Sequence, residues 1–166
     1  MAVTRSLYLI RHGIAAERGD KWPDDTLRPL THQGAVRMRH VVRGLQTLGT
    51  DIDLILTSPL VRAMETAELV SRGLESRPDV VSLPVLAPGG TPARVAEALA
   101  ARAKVRGVAL VGHEPDLGEL AGWLIGSRTP LQFKKGGVCR IDCEDWPPAR
   151  QNQLVWLATP RMLRGV

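Results

Sequence analysis

Leu7-Tyr8-Leu9-Ile10-Arg11-His12-Gly13 and Val108-Ala109-Leu110-Val111-Gly112-His113 decide how this chain folds. Each is a short apolar run that stops at a turn residue and a histidine. Consecutive Leu, Ile and Val, with no polar alternation, suit a strand buried on both faces of a parallel sheet. Ligands of open α/β sheets sit beyond the carboxyl ends of such strands. Two histidines far apart in sequence are therefore expected to converge on one crevice.

Working outward, strands and helices alternate. After the first strand, at about residues 5–10, a polar, proline-containing stretch from Ile14 to Leu30 reads as a loop over the crevice. Thr31 is the expected N-cap of a helix running to about Leu48, with Val41, Leu45 and Leu48 at helical spacing. Asp53–Thr57 reads as a strand. Ser58-Pro59 reads as a cap plus first-turn proline, opening a helix whose Ala63, Ala67 and Val70 share a face. Val80–Leu83 reads as a short strand ended by Pro84. Thr91-Pro92 repeats the cap signal for a helix to about Ala103, and Pro115 opens another that carries Leu117, Leu120, Ala121, Leu124 and Ile125. Gly137–Cys143 and Leu154–Ala158 are the last strands, joined by the loop 144–152. The pattern predicts an α/β fold, a three-layer sandwich with a mostly parallel central sheet flanked by helices. No repeat or low-complexity linker divides residues 1–166, so one domain is expected.

Composition narrows the function classes. The chain of 166 residues is 44% hydrophobic and 23% charged, enough to bury a core without staples. Aromatics are only 4%, so Ala, Val and Leu must fill that core. Lys+Arg total 22 against 17 Asp+Glu, a net charge of +5. The arginines are scattered, however, and only Lys134 and Lys135 are adjacent, so the basic stripe with interleaved aromatics of a nucleic-acid binder is missing. No apolar run approaches the roughly 20 residues that span a bilayer, and Met1–Ser6 shows no leader pattern. The expectation is a cytoplasmic protein with neither nucleic acid nor membrane as partner. Cys139 and Cys143 lack CxxC spacing and a matching pair for zinc, and read as buried free thiols.

Three pieces carry chemistry. In Arg11-His12-Gly13, the glycine permits a sharp turn beside a ligand, the guanidinium forks onto phosphate oxygens, and a neutral imidazole nitrogen can attack phosphorus. Neighbouring arginines would lower the pKa of His12 and keep that nitrogen free. Ser58-Pro59-Leu60-Val61-Arg62-Ala63-Met64-Glu65-Thr66-Ala67 lies where a strand meets a helix N-terminus, which favours anions. Arg62 reads either as a phosphate ligand or as an exposed arginine paired with Glu65 or Glu68. His113 reads either as a donor to a phosphoryl oxygen or as a structural histidine. His32 and His40 have only the structural reading.

Together these pieces resemble the histidine phosphatase superfamily, the phosphoglycerate mutase-like family with the Arg-His-Gly motif. The resemblance rests on Arg11-His12-Gly13, Leu30-Thr31-His32-Gln33-Gly34, Ser58-Pro59 with Arg62-Ala63 and Thr66-Ala67, and Gly112-His113, and spans about residues 5–125. The small size is similar to the compact SixA-type branch, without the large lid insertion of the mutases, and Arg28-Pro29-Leu30-Thr31 resembles that branch too. The resemblance implies a metal-independent phosphatase with no cofactor, in which His12 takes the phosphoryl group while Arg11, Arg62 and His113 surround it. Gly13 and Arg28 would join the phosphate contacts. It further implies phosphohistidine on a signalling protein of the histidine phosphotransfer type as substrate.

One departure counts. Many members carry a glutamate as proton donor after the third strand, but Leu86-Ala87-Pro88-Gly89-Gly90-Thr91-Pro92 contains no acid. Glu114, Glu17 and Asp20 are the substitutes on offer, and sequence cannot place them. A missing acid disfavours alkoxide leaving groups and favours imidazole or another activated phosphate. The rivals are a phosphatase of a small phosphoester (nucleotide, sugar or terpenoid phosphate) and a non-catalytic phosphate-binding module. Whether the loop 14–30 closes over the site is open at this point, as is the oligomeric state.

Overall fold

A computed structural model describes residues 4–166; Met1–Val3, within the segment read for a leader pattern, lie outside the described residues. Six strands form one sheet: β1 (Arg5–Arg11), β2 (Leu54–Thr57), β3 (Asp79–Ser82), β4 (Gly107–Gly112), β5 (Val138–Cys143) and β6 (Gln153–Ala158), in the order β3-β2-β4-β1-β5-β6. β1 to β4 pair in parallel, while β5 is antiparallel to both β1 and β6. Only β5 therefore opposes the common direction, and the mostly parallel sheet is as expected. The helices are α1 (His32–Thr47), α2 (Val61–Gly73), α3 (Pro92–Ala100), α4 (Asp116–Leu124) and the short α5 (Pro160–Leu163).

Strand alternation divides the core in two. Tyr8, Ile10, Ala109 and Val111 point to one face, where Met38 and Leu45 of α1, Ala67 and Val70 of α2 and Leu163 of α5 cover them. Leu7, Leu9, Val108 and Leu110 point to the other, under Val95 and Leu99 of α3 and Leu117 and Leu120 of α4. β1 and β4 are buried on both sides, which is why their sequences carry apolar residues without a break. Among the described residues no helix is long and apolar enough to cross a membrane.

The caps explain most boundaries. Thr31 Oγ1 accepts the Gly34 N–H at 2.9 Å, and Thr91 Oγ1 accepts that of Arg94. Three expectations shift. Ser58 does not cap α2: the helix starts at Val61 after Leu60, and Ser58 Oγ accepts the Leu60 N–H within the preceding turn. α3 ends at Ala100 rather than Ala103, closed at Ala101 by a bond to the Leu99 carbonyl. α5 was not anticipated, although Thr159-Pro160 carries the same cap-plus-proline signal and Thr159 accepts the Met162 N–H. Cys139 and Cys143 are buried free thiols whose pKa burial pushes up to about 12.

Candidate active site

The chain leaves β1 toward α1 on one face and leaves β4 toward α4 on the other, and β1 and β4 are neighbours. The sheet's crevice opens between such diverging exits. Arg11 stands beside Gly112 in register, and the His12 N–H continues the ladder by donating to the Gly112 carbonyl at 3.1 Å. The rings of His12 and His113 consequently lie 5.2 Å apart, centroid to centroid. Both histidines are buried.

They line a cavity of about 540 Å³ with Arg11, Arg28 and Arg62. Every residue expected to surround a phosphoryl group is thus gathered at one place, except that Gly13 lies behind His12 rather than on the wall. Gly13 is buried, its N–H donates to Thr66 Oγ1 at 3.1 Å, and a Cβ there would meet Met38 Cγ at 2.7 Å. Thr66 in turn donates to the Arg62 carbonyl at 2.7 Å, tying the turn after His12 to the first part of α2. Of the acids considered, Glu114 and Glu17 line the cavity and Asp20 does not; His32 and His40 are exposed on α1 and also stand apart from it. The segment after β3 contributes Pro88.

Hydrogen bonding fixes the state of His12. Its Nδ1 lies 2.7 Å from the Gly13 carbonyl, which can only accept, so Nδ1 carries the proton and Nε2 keeps its lone pair. Burial, then the charges of Arg62, Arg11 and Lys135, push its pKa down to about 4 against the opposing pull of the Gly13 bond. Burial, followed by the facing His12 and Arg62, takes His113 to about 3. Both rings are neutral at pH 7. His113 Nε2 lies 2.7 Å from Ser58 Oγ, and its buried Nδ1 has no protein partner. The buried Nε atoms of Arg11 and Arg62 also lack a partner. Buried donors left open in this way suit an oxyanion.

Glu114 lines the cavity with one of its oxygens engaged. Its Oε1 accepts the Phe133 N–H at 3.2 Å, while Arg11 Nη1 donates to the Phe133 carbonyl at 2.7 Å. Burial pushes its carboxyl up, and the Phe133 and Arg11 contacts oppose that rise.

Four contributors escaped the sequence. Asp25 forms ion pairs with Arg18, Arg28 and Arg62. Burial alone would raise the Asp25 carboxyl, but the Arg28 hydrogen bond and the charges of Arg62 and Arg28 outweigh it and hold the pKa below its ordinary value. Lys135 and Arg18 complete the cationic wall. Ser58 supports His113. Nothing periodic marks these positions; the Lys134-Lys135 pair offered a signal, and Ser58 was visible only as part of the Ser58-Pro59 motif, without its contact to His113.

A profile of the histidine phosphatase superfamily (branch 1) matches residues 7–86. The chain is 39% identical over 166 residues to an uncharacterized protein of Picosynechococcus sp. strain PCC 7002, covering 95% of this chain and 98% of that one. It is 29% identical over 141 residues to the phosphohistidine phosphatase SixA of Escherichia coli, covering 84% and 86%. The structure of the protein histidine phosphatase SixA complexed with tungstate superposes with a TM-score of 0.83 at 27% identity, over 94% of this chain and 97% of that one. The alpha-ribazole phosphatase of Shigella flexneri shares the fold, with a TM-score of 0.71 at 20% identity over 93% and 96%. With these likenesses and two imidazoles in an arginine-lined crevice, the chain belongs to the histidine phosphatase superfamily, with the SixA-type members, and is a phosphatase.

Proposed function

We propose that this phosphatase works through a covalent phosphohistidine at His12 Nε2 and acts on phosphohistidine of a signalling protein. The observation that carries the first part is the Nδ1 bond to the Gly13 carbonyl, which leaves Nε2 as a free nucleophile in the cavity. The Nε2 lone pair attacks phosphorus and the bond to the leaving group breaks. Water then attacks the same phosphorus, releasing inorganic phosphate and returning the electron pair to Nε2. Phosphoryl transfer needs alignment and cationic stabilisation more than covalent help, and Arg11, Arg28 and Arg62 supply that charge without a metal or cofactor. Ser58 Oγ already accepts the Leu60 N–H, so its own proton is free for His113 Nε2. That arrangement leaves Nδ1 of His113 protonated and able to donate to a phosphoryl oxygen.

The leaving group supports the substrate class. The segment after β3 brings Pro88 rather than an acid to the cavity, and Glu114 is engaged with Phe133, which leaves Glu17 as the acid on the wall that could serve as a donor. A phosphorylated imidazole takes a proton on its second nitrogen and departs as neutral imidazole, so it needs no such donor. An alkoxide does. The likeness to SixA points the same way. The cavity of about 540 Å³ also accommodates a small phosphoester, which makes that substrate the second reading.

His12→Ala should lower turnover of p-nitrophenyl phosphate by about 10³-fold or more, and labelled phosphoryl should be trapped on His12 of the wild type. Trapping elsewhere, or an active variant, defeats the covalent reading. Phosphorylated phosphotransfer domains should outpace a panel of sugar, nucleotide and terpenoid phosphates in kcat/KM; the reverse order establishes the small-molecule reading.

A further inference from the structure

An anion site that contains a carboxylate works against itself unless the carboxylate does something for the cations. Asp25 Oδ1 lies 2.8 Å from Arg28 Nε and 3.1 Å from Arg18 Nε. Its Oδ2 lies 3.1 Å from Arg62 Nη2, and its backbone carbonyl accepts Arg62 Nη1 at 2.8 Å. The residue is itself held in a 3₁₀ turn, Asp25–Leu27, capped by Asp24, whose Oδ1 accepts the Thr26 N–H at 2.9 Å. A carboxylate in this place repels any phosphate dianion that enters.

The compensation lies in the geometry of Arg62. Asp25 occupies the end of the guanidinium through both Nη atoms, and the buried Nε is left without a protein partner. A guanidinium also grips an oxyanion side-on, through Nε and the second hydrogen of Nη2. Pinning the end fixes the plane of the group and aims the side-on edge. Arg28 is handled in a similar way: Nε is taken by Asp25 and Nη1 donates to the Ala16 carbonyl at 2.6 Å, leaving Nη2. We propose that Asp25 is a positioning residue for phosphoryl transfer, orienting Arg62 and Arg28 so that their remaining N–H groups meet the oxygens of the transferring phosphoryl group. This rests on the phosphoryl-transfer role proposed for the cavity. Asp25 touches no reacting atom and trades ground-state anion affinity for alignment in the transition state.

The test compares Asp25→Ala, the near-isosteric Asp25→Asn and wild type, each also in an Arg62→Ala background, with p-nitrophenyl phosphate as substrate. kcat should fall about 10- to 100-fold in Asp25→Ala and less in Asp25→Asn. Inhibition by vanadate, which mimics the five-coordinate transition state, should weaken with kcat. Inhibition by inorganic phosphate should stay the same or tighten, because a repelling charge is gone. In the Arg62→Ala background the loss from Asp25→Ala should shrink by about threefold or more, since the two residues act as one unit. A purely structural role would weaken phosphate and vanadate together and leave the losses independent of Arg62. Either result overturns the proposal, as does an Asp25→Asn variant at or above wild-type kcat, which would make Asp25 an internal competitor. His12→Ala separates the two levels: if it stays active, the underlying reading fails, whatever the Asp25 variants do.

Discussion

Arg11, His12 and His113 stand at the ends of paired strands, whereas Asp25 and Arg28 come from the irregular chain between β1 and α1. The first group is placed by sheet register: the Arg11–Gly112 pairing and the His12 N–H bond to Gly112 leave little choice of where the imidazoles go. The second group is placed by side-chain contacts, chiefly one carboxylate shared among arginines. Arg62 belongs to both regimes, anchored on α2 with its side chain almost fully buried but aimed by the loop. Catalytic groups on regular elements keep their geometry better than those on loops. The proposed nucleophile, His12, accordingly sits on the scaffold, and the adjustable charge sits on the loop.

Arginine removal gives the largest effect that bears on this contrast. Arg62→Ala should lower kcat for p-nitrophenyl phosphate about 10²- to 10³-fold, as for loss of a preorganised oxyanion donor. Arg28→Ala, on the loop, should lower it by only about tenfold. Steady-state kinetics decide the matter, and equal losses would show that the loop is as firmly set as the scaffold.

Acid should act on the scaffold half. The folded-state pKa values of His12 and His113, about 4 and about 3, lie below the ordinary value of 6.5. Between these limits the unfolded chain binds protons that the folded chain excludes. Stability is therefore complete above pH 6.5 and falls as pH drops toward 3, by an order-of-magnitude sum of a few kcal/mol for the two rings. Urea melts from pH 7 to pH 4 measure it. His113→Gln should flatten the acid slope, and NMR titration should find His12 neutral down to about pH 4. An unchanged slope in the variant would place the acid sensitivity elsewhere, with the carboxylates.

The seam between the two halves is Gly34. A Cβ there would lie 2.1 Å from the Ile14 carbonyl oxygen, the same oxygen that accepts the Thr31 N–H at 2.9 Å. Gly34→Ala should destabilise by about 1–3 kcal/mol, because backbone rather than a flexible side chain must move. Gly13→Ala is the control, since its Cβ meets the flexible Met38 side chain. Thermal melts compare them, and a larger fall for Gly13→Ala would reverse the assignment of the seam.

Legibility in the sequence follows the same division. The strand-end histidines were visible because burial on both faces forces an unbroken apolar run, and the run itself says where it ends. Thr31 was readable as a cap because a threonine before a helical period has few other uses. Asp25 was not readable: a polar residue among polar residues has no period, and its partners come from positions 18, 28 and 62. Ser58 was misread for the opposite reason. Ser-Pro is a strong helix-start signal, and it masked the contact with His113 that only the fold reveals.

Ser58 also gives the smallest and sharpest test of the scaffold half. Ser58→Ala removes the hydroxyl 2.7 Å from His113 Nε2 and deletes the acceptor of the Leu60 N–H at 3.3 Å. Two buried polar atoms lose a partner, so stability should fall by about 1 kcal/mol. Turnover should fall only a few-fold, because register still delivers His113 to the cavity. The informative readout is the tautomer: with Ser58 donating to Nε2, nitrogen NMR of the wild type should find the His113 proton on Nδ1, and the variant should lose that preference. A wild-type ring protonated on Nε2 would leave Nδ1 an acceptor, unable to donate to a phosphoryl oxygen. The scaffold would then deliver His113 to the right place in the wrong protonation form, and its part in transition-state stabilisation would pass to the arginines.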